Sequence, residues 1–272
     1  MPYTQNQPNI IYIMADDLAY RDLGCYGQTK IKTPNIDQLA REGMKFTQCY
    51  SGSSVCTPSR SVLMTGEHTG HNTIRNNSTI SGGTKVMEEQ ADGRLLPRRR
   101  PSLGKEDITV AELLKKAGYK TGITAKWGIA EPNTSGTPNK KGFDCWFGYL
   151  NNKRGQNYYP SYLWHNEERV FLENNIKNKN ATYSQDLFTD FALDFIEENQ
   201  NAPFFLYLPY NAPHRPFQVP GNDPYSDEPW PQDAKNYAAM ITRIDEYVGR
   251  IMDLLKELNI DENTIIFFTS DN

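Results

Sequence analysis

Three short, unbroken apolar runs constrain the fold most: Asn9-Ile10-Ile11-Tyr12-Ile13-Met14, Pro203-Phe204-Phe205-Leu206-Tyr207-Leu208 and Thr264-Ile265-Ile266-Phe267-Phe268-Thr269. A strand with one wet face alternates apolar and polar residues, so a run without alternation reads as a strand covered on both faces. Between these runs the period changes to that of a helix. Residues 33–42 turn Ile36, Leu39 and Ala40 inward, and residues 108–117 do the same with Val110, Leu113 and Leu114 before Gly118 and a strand at 120–125. Ser184 is read as the cap of a helix over 184–199, with Leu187, Phe188, Phe191 and Phe195 in one stripe, and residues 234–258 form a long amphipathic helix. Residues 45–50 read as a further strand. Residues 131–180, rich in Gly, Asn, Pro and aromatics, read as an irregular region holding short antiparallel strands or substrate loops. Helices alternating with buried strands define an α/β class, a mostly parallel sheet with helices on both faces.

Composition narrows what such a sheet could serve. A chain of 272 residues with 38% hydrophobic content can bury one sizeable core, and is read as one large domain. The net charge of -4 attracts neither nucleic acid nor an anionic membrane, so any anion site must be local. No run approaches the roughly 18 apolar residues of a membrane helix, and residues 1–7 lack the apolar core of a signal peptide. Cys25, Cys49, Cys56 and Cys145 are too scattered for a disulfide framework and form no Cys-x-x-Cys pair.

The chemistry gathers at the ends of the strands and at one helix start. In Cys56-Thr57-Pro58-Ser59-Arg60, Pro58 has the φ preferred at a first helical position, and Gly66 ends the helix after Met64-Thr65. Cys56 then meets the positive end of the helix dipole, with Arg60 one turn later on the same face, an arrangement suited to an oxyanion. A lone Cys-x-Pro is more often a small buried thiol. Asp16-Asp17 and Ser270-Asp271-Asn272 follow apolar strands directly, Lys126 follows the 120–125 strand, and His214 lies a few residues beyond another. In open α/β sheets ligands bind beyond the carboxyl ends of strands. Asp16, Asp17, Asp271 and Asn272 supply only oxygen ligands, which suit Ca²⁺ or Mg²⁺ better than zinc. Lys126 could hold an anion, and the His214 imidazole could give a proton to a leaving group; an exposed lysine and a surface-loop histidine are the plain alternatives. Arg94 and Arg98-Arg99-Arg100 read as a solvated charge run ahead of a grip on a polyanion. Tyr158, Tyr159, Tyr162 and Trp164 either stack on sugars or pack the loops.

The string Cys-x-Pro-Ser-Arg followed by Leu-Met-Thr-Gly resembles the signature of the type I sulfatases. The likeness runs from Pro8 to Asn272 through Gly142-Phe143-Asp144, Tyr158-Tyr159-Pro160 and Pro203-Phe204-Phe205-Leu206-Tyr207, similar to bacterial arylsulfatase-type enzymes of the alkaline phosphatase superfamily. The resemblance implies an alkaline phosphatase-like sheet, with residues 1–272 as an N-terminal catalytic domain. It implies that a maturation enzyme oxidises Cys56 to Cα-formylglycine, whose hydrated form attacks sulfur and later expels sulfate. It assigns Asp16, Asp17, Asp271 and Asn272, joined by position 56, to a metal, Ca²⁺ ahead of Mg²⁺. Arg60 and Lys126 would offset charge on the sulfuryl oxygens, and His214 or Lys126 would protonate the leaving oxygen. The expected substrate is a sulfated carbohydrate ahead of a small aryl sulfate.

The chain departs from the pattern at several points. Gly128 stands where many sulfatases carry a histidine, and Arg154-Gly155-Gln156 stands where a related subgroup has His-x-His. The chain stops at Asn272, where the family continues with glycine, a further basic residue and more sheet, and the signal peptide of secreted or periplasmic members is absent. Two rivals stay open at this point: a phosphodiesterase or phosphonate monoester hydrolase of the same superfamily, and a vestigial, non-catalytic glycan-binding protein.

Overall fold

The computed structural model describes residues 7–77, 84–89 and 94–272. Nine strands and five helices follow in the order β1 (Asn9–Ala15), α1 (Pro34–Glu42), α2 (Cys56–Thr65), β2 (Thr84–Glu89), β3 (Leu95–Arg100), α3 (Val110–Lys116), β4 (Lys120–Lys126), β5 (Cys145–Tyr149), β6 (Tyr162–His165), β7 (Glu168–Phe171), α4 (Ser184–Asn199), β8 (Phe204–Pro209), α5 (Gln232–Glu257) and β9 (Thr264–Ser270), counted among the described residues. Seven strands form one sheet in the order β7-β6-β5-β4-β8-β1-β9, and β2 and β3 make a separate hairpin. From β5 to β9 every pairing is parallel, and β6 and β7 add an antiparallel edge.

The lack of alternation in β1 and β8 has the expected cause: both faces are covered. Ile11 and Ile13 of β1, with Phe204, Leu206 and Leu208 of β8, pack against Phe188, Phe195 and Ile196 of α4 and Ile241, Ile244 and Val248 of α5. Met14, Phe205 and Tyr207 point the other way, toward Met64 of α2, Ala111 of α3 and Trp127. Between β4 and α4 the fit is close enough that a Cβ on Gly122 would lie 2.6 Å from the Phe195 ring. Among the described residues, no helix is long and apolar enough to cross a membrane.

One buried carboxylate joins the first and last helices of this layer. Asp245 of α5 accepts from the backbone N–H of Asn35 at 3.2 Å, from the Asn35 side-chain amide at 2.9 Å and from the Ile36 N–H at 2.7 Å. These are N–H groups that the first turn of α1 leaves without helical partners. α1 therefore starts where it does because α5, over 200 positions away, caps it.

Several sequence expectations change. Residues 45–50 form no strand: among the described residues they pair with no strand, and they run irregularly across the surface, with Tyr50 83% exposed. Ser184 is the first residue of α4, and Tyr183 precedes it at the cap position without a side-chain cap. α3 is shorter than 108–117 and Leu113 lies exposed, since Ala111 makes the close packing. The stretch around Arg98-Arg99-Arg100, read as a solvated charge run, belongs to a hairpin strand; the side chains of Arg98 and Arg99, like residues 1–6, lie outside the described residues. Within 131–180 the sheet gains one parallel strand, β5, as well as the antiparallel pair. β9 forms the edge of the sheet, with Ile265 and Phe267 exposed on one side, so coverage on both faces stops at β1. Substituting Asp245→Ala is expected to lower stability by about 2 to 3 kcal/mol, as charged hydrogen bonds to N–H groups are lost, while Asp245→Asn costs less; urea unfolding measures both.

Candidate active site

Cys56 is the first residue of α2, and extended Val55 serves as its cap residue without offering a side-chain bond. Pro58 thus sits third in the helix, not first, where its missing N–H still costs no helical bond. The cap comes instead from Asn77, whose side-chain oxygen accepts from the Thr57 N–H at 2.8 Å. Gly66 closes the helix in the left-handed conformation, at φ 70°. Burial pushes the Cys56 thiol up to about 12, against the pull of Lys126, so unmodified Cys56 is a neutral thiol at physiological pH.

Parallel register brings the distant carboxylates together. Ala15 pairs with Ser270, so Asp16 and Asp271 leave adjacent strands side by side, and the Asp271 N–H donates to the Ala15 carbonyl at 3.0 Å. The Asp17 N–H donates to Asp271 Oδ1 at 3.2 Å, across 254 positions of sequence. Lys126, at the end of β4, pairs through Nζ with Asp16 Oδ2, and both side chains are fully buried. Arg60, also fully buried, grips Asp271 Oδ2 with Nε at 3.0 Å and Nη2 at 2.8 Å and donates from Nη1 to the Lys126 carbonyl. Its guanidinium commits to these acceptors, with Asp16 Oδ1 3.6 Å from Nη2. Ser59, another residue of α2, donates to the Asp271 carbonyl.

Charge in this cluster is unbalanced. Burial alone would raise the Asp16 carboxyl, but Lys126 and then Arg60 outweigh it and hold Asp16 well below the usual carboxylate range. Asp271 goes the other way, raised by burial and then by the charge of Asp16, which Arg60 only partly offsets. Three carboxylates face two cations, so the cluster as it stands repels an anion.

His214 completes the rim. Its Nε2 lies 3.4 Å from Asp17 Oδ2, and its Nδ1 contacts the Arg215 carbonyl. The loop that carries it is anchored beneath: the Asp16 N–H donates to the Ala212 carbonyl at 3.0 Å, and the Tyr158 hydroxyl lies 2.6 Å from the carbonyl oxygens of both Asn211 and His214. Tyr158 is fully buried and stacked on Tyr183, and Tyr162 is buried under Arg154, so both pack loops and neither is free to stack on a sugar.

Two glycines beside the cluster have physical reasons, Gly128 at a departure from the family pattern and Gly155 between two others. Gly128 has φ 80°, and a Cβ there would stand 3.2 Å from Arg60 Cδ, so a histidine would be strained and would crowd the guanidinium. Gly155 leaves space for Lys126, whose Cδ would be 2.9 Å from an added Cβ. Asp17 and Ala125 also have positive φ, 62° and 87°, beside the charged cluster.

The donor set fits a hard divalent cation. Ligand atoms of Asp16, Asp17, Cys56 and Asp271 lie within 4.8 Å of one another, and His214 forms a second such group with Asp17 and Cys56. Among the described residues, Asp16 Oδ1 and Asn272 Oδ1 are buried without a hydrogen-bond partner, and the Asn272 amide nitrogen donates to Asp17 Oδ1 at 2.7 Å, which ties Asn272 to the cluster. Orphaned oxygens gathered around excess negative charge are what a calcium ion satisfies. Sequence reading singled out Asp16, Asp17, Cys56, Asp271 and Asn272 for a metal and His214 for proton transfer, and the fold brings these residues together. It missed Asn77, Ser59 and Tyr158, whose roles depend on contacts without any local sequence signal.

A mostly parallel sheet with helices on both faces and acidic residues at its strand ends is the architecture of alkaline phosphatase-like hydrolases. Comparison with known proteins narrows the class. Residues 8–272 match the family model described as Sulfatase, and the chain belongs to the sulfatase family. It is 34% identical to N-acetylgalactosamine-6-sulfatase of Homo sapiens over 97% of this chain and 50% of that protein. It is 33% identical to an arylsulfatase of Hemicentrotus pulcherrimus over 98% of this chain and 47% of that one. Among solved structures, Ps i-CgsB in complex with k-i-k-neocarrahexaose aligns with a TM-score of 0.81 at 32% identity, covering 98% of this chain and 59% of that one. The chain spans about half the length of the curated relatives it matches.

Calcium at a hundredfold excess over its Kd is expected to stabilise the fold by about 2.7 kcal/mol, read as a rise in thermal unfolding midpoint. Asp17→Ala, which removes the partly exposed ligand, should abolish most of that rise. Equal midpoints in calcium and in chelator would argue that these oxygens take no calcium.

Proposed function

We propose that this chain carries the catalytic centre of a sulfuric ester hydrolase acting on a sulfated carbohydrate. The observation that carries the reading is Cys56 at the head of α2, among the ligand oxygens of Asp16, Asp17 and Asp271, with Arg60 and Lys126 buried against the same carboxylates. The named substrates of relatives support the carbohydrate: one is an N-acetylgalactosamine-6-sulfatase, and another was solved with a neocarrahexaose.

Each residue has a role that its position can support. Position 56, once oxidised to formylglycine by a maturation enzyme, supplies the hydroxyl nucleophile that a buried neutral thiol does not. Asp16, Asp17, Asp271, Asn272 and position 56 would hold calcium, which would supply the positive charge that an anion needs in a cluster with excess negative charge. Lys126 and Arg60 add fixed positive charge in a dry environment, where it acts strongly on the sulfuryl oxygens. Because Arg60 also holds Asp271 and the Lys126 carbonyl, it keeps the strand ends of β4 and β9 in place. His214, half-buried at the rim with Nε2 toward the cluster, gives a proton to the departing sugar oxygen.

The test is expression with a maturation enzyme, mass spectrometry of the peptide spanning Cys56, and turnover of sulfate and phosphate esters in parallel. Formylglycine at position 56 with sulfate release is the expected result; a retained thiol, or phosphate ester turnover in its place, would sink the reading. His214→Ala is expected to lower kcat on a sugar sulfate by about 10²- to 10⁴-fold, and by much less on an aryl sulfate, whose leaving oxygen needs little protonation.

A further inference from the structure

A cavity of about 420 Å³ opens beside the cluster, lined by Gln156, His214, Arg215, Pro216, Phe217 and Asp233. Its volume is within the range of roughly 300 to 1,000 Å³ typical of small-molecule sites. His214 is the shared wall. One edge of its ring faces Asp17 at 3.4 Å and the residue also lines the cavity, so a group reacting at the cluster has its remainder beside His214. The lining comes from three separate places: the turn after β5, the loop after β8 and the first turn of α5.

Arg215 gives the cavity its chemistry. Arg60 and Lys126 are committed to carboxylates, whereas Arg215 is exposed and, among the described residues, its guanidinium has neither a hydrogen-bond nor an ion-pair partner. It is not loose. Its Cζ sits 5.0 Å from the centre of the Phe217 ring, and Phe217 is held edge-on by Tyr237 at 5.1 Å, with its carbonyl bonded by Asn236 at 3.0 Å. A guanidinium held over a fixed ring is restricted in position, and its forked donors match a carboxylate or sulfate. Asp233 and Gln156 add an acceptor and an amide suited to sugar hydroxyls.

Resting on the hydrolase reading above, we propose that this cavity holds the sugar of the leaving group, and that Arg215 selects sugar sulfates carrying a second anionic substituent. The chain's net charge offers no general attraction for such a substrate, so recognition must come from a local cation of this kind.

The test uses the full chain, matured and calcium-loaded, and its variants Arg215→Gln and Arg215→Lys. The ratio of kcat/KM for N-acetylgalactosamine 4,6-disulfate to that for the 6-sulfate is expected to fall about tenfold or more in Arg215→Gln, carried by KM, with Arg215→Lys keeping part of the preference. Calorimetric titration with N-acetylgalactosamine 4-sulfate, glucuronate and neutral N-acetylgalactosamine separates a second sulfate from a carboxylate and needs no turnover. At least one charged sugar should bind and weaken about tenfold in Arg215→Gln, the neutral one much less. No binding of either charged sugar, or equal weakening of charged and neutral sugars, would overturn the proposal. Binding that depends on Arg215 without any sulfate release would keep the subsite and remove the hydrolase reading; sulfate release without discrimination by Arg215 would do the reverse.

Discussion

Four fully or nearly fully buried charges, Asp16 with Lys126 and Asp271 with Arg60, are the constraint on which the rest of the structure depends. Taking such groups out of water costs several kcal/mol per ion, and leaving one without its partner costs about 3 to 5 kcal/mol. The ends of β1, β4 and β9 and the helix α2 must therefore meet in one arrangement or not at all. Each connection is specific: β1 meets β9 through register, β4 meets β1 through an ion pair, and α2 meets both through Arg60.

That arrangement is not one a protein would adopt for stability alone. Backbone in the left-handed region at Asp17 and Ala125 costs about 1 to 3 kcal/mol per residue, and both lie beside the charged cluster. Carboxylates outnumber cations, and Asp16 Oδ1 and Asn272 Oδ1 have no hydrogen-bond partner among the described residues. The covered faces of β1 and β8, packed by α4 and α5 on one side and α2 and α3 on the other, offset these costs through apolar burial. Gly128 shows the coupling at a single position. The residue type follows from the space that Arg60 occupies, so a change in the family's usual pattern there is first a matter of backbone and packing.

Much of this was legible in the chain, for reasons that differ by element. Buried strands betray themselves because both faces are apolar, and α5 because its inward residues repeat at helical spacing over seven turns. Asp16, Asp17, Asp271 and Asn272 stood out because acidic and amide residues abruptly follow apolar runs. The irregular course of residues 45–50 was not legible, since alternation there resembles a strand and only pairing, which these residues lack among those described, decides otherwise. Nor was Asn77 as the cap of α2, Asp245 as the cap of α1, or Tyr158 as the anchor of the His214 loop. Each acts through hydrogen bonds to a segment elsewhere in the chain, and a single polar residue carries no period that names its partner.

The sequence by itself determined the class of fold, a short helix closed by Gly66 with Cys56 near its start, and the residue types from which a hard-cation, oxyanion-binding site could be built. Local periodicity and chemical identity are properties of short segments and survive without tertiary context. Only the tertiary structure decided that Arg60 holds Asp271 as well as standing below Cys56, that Gly128 and Gly155 make room for the two cations, and that Arg215 is left unpaired beside His214. Those outcomes depend on which charges share a desolvated space, and strand register and packing alone set that over separations of more than 200 residues.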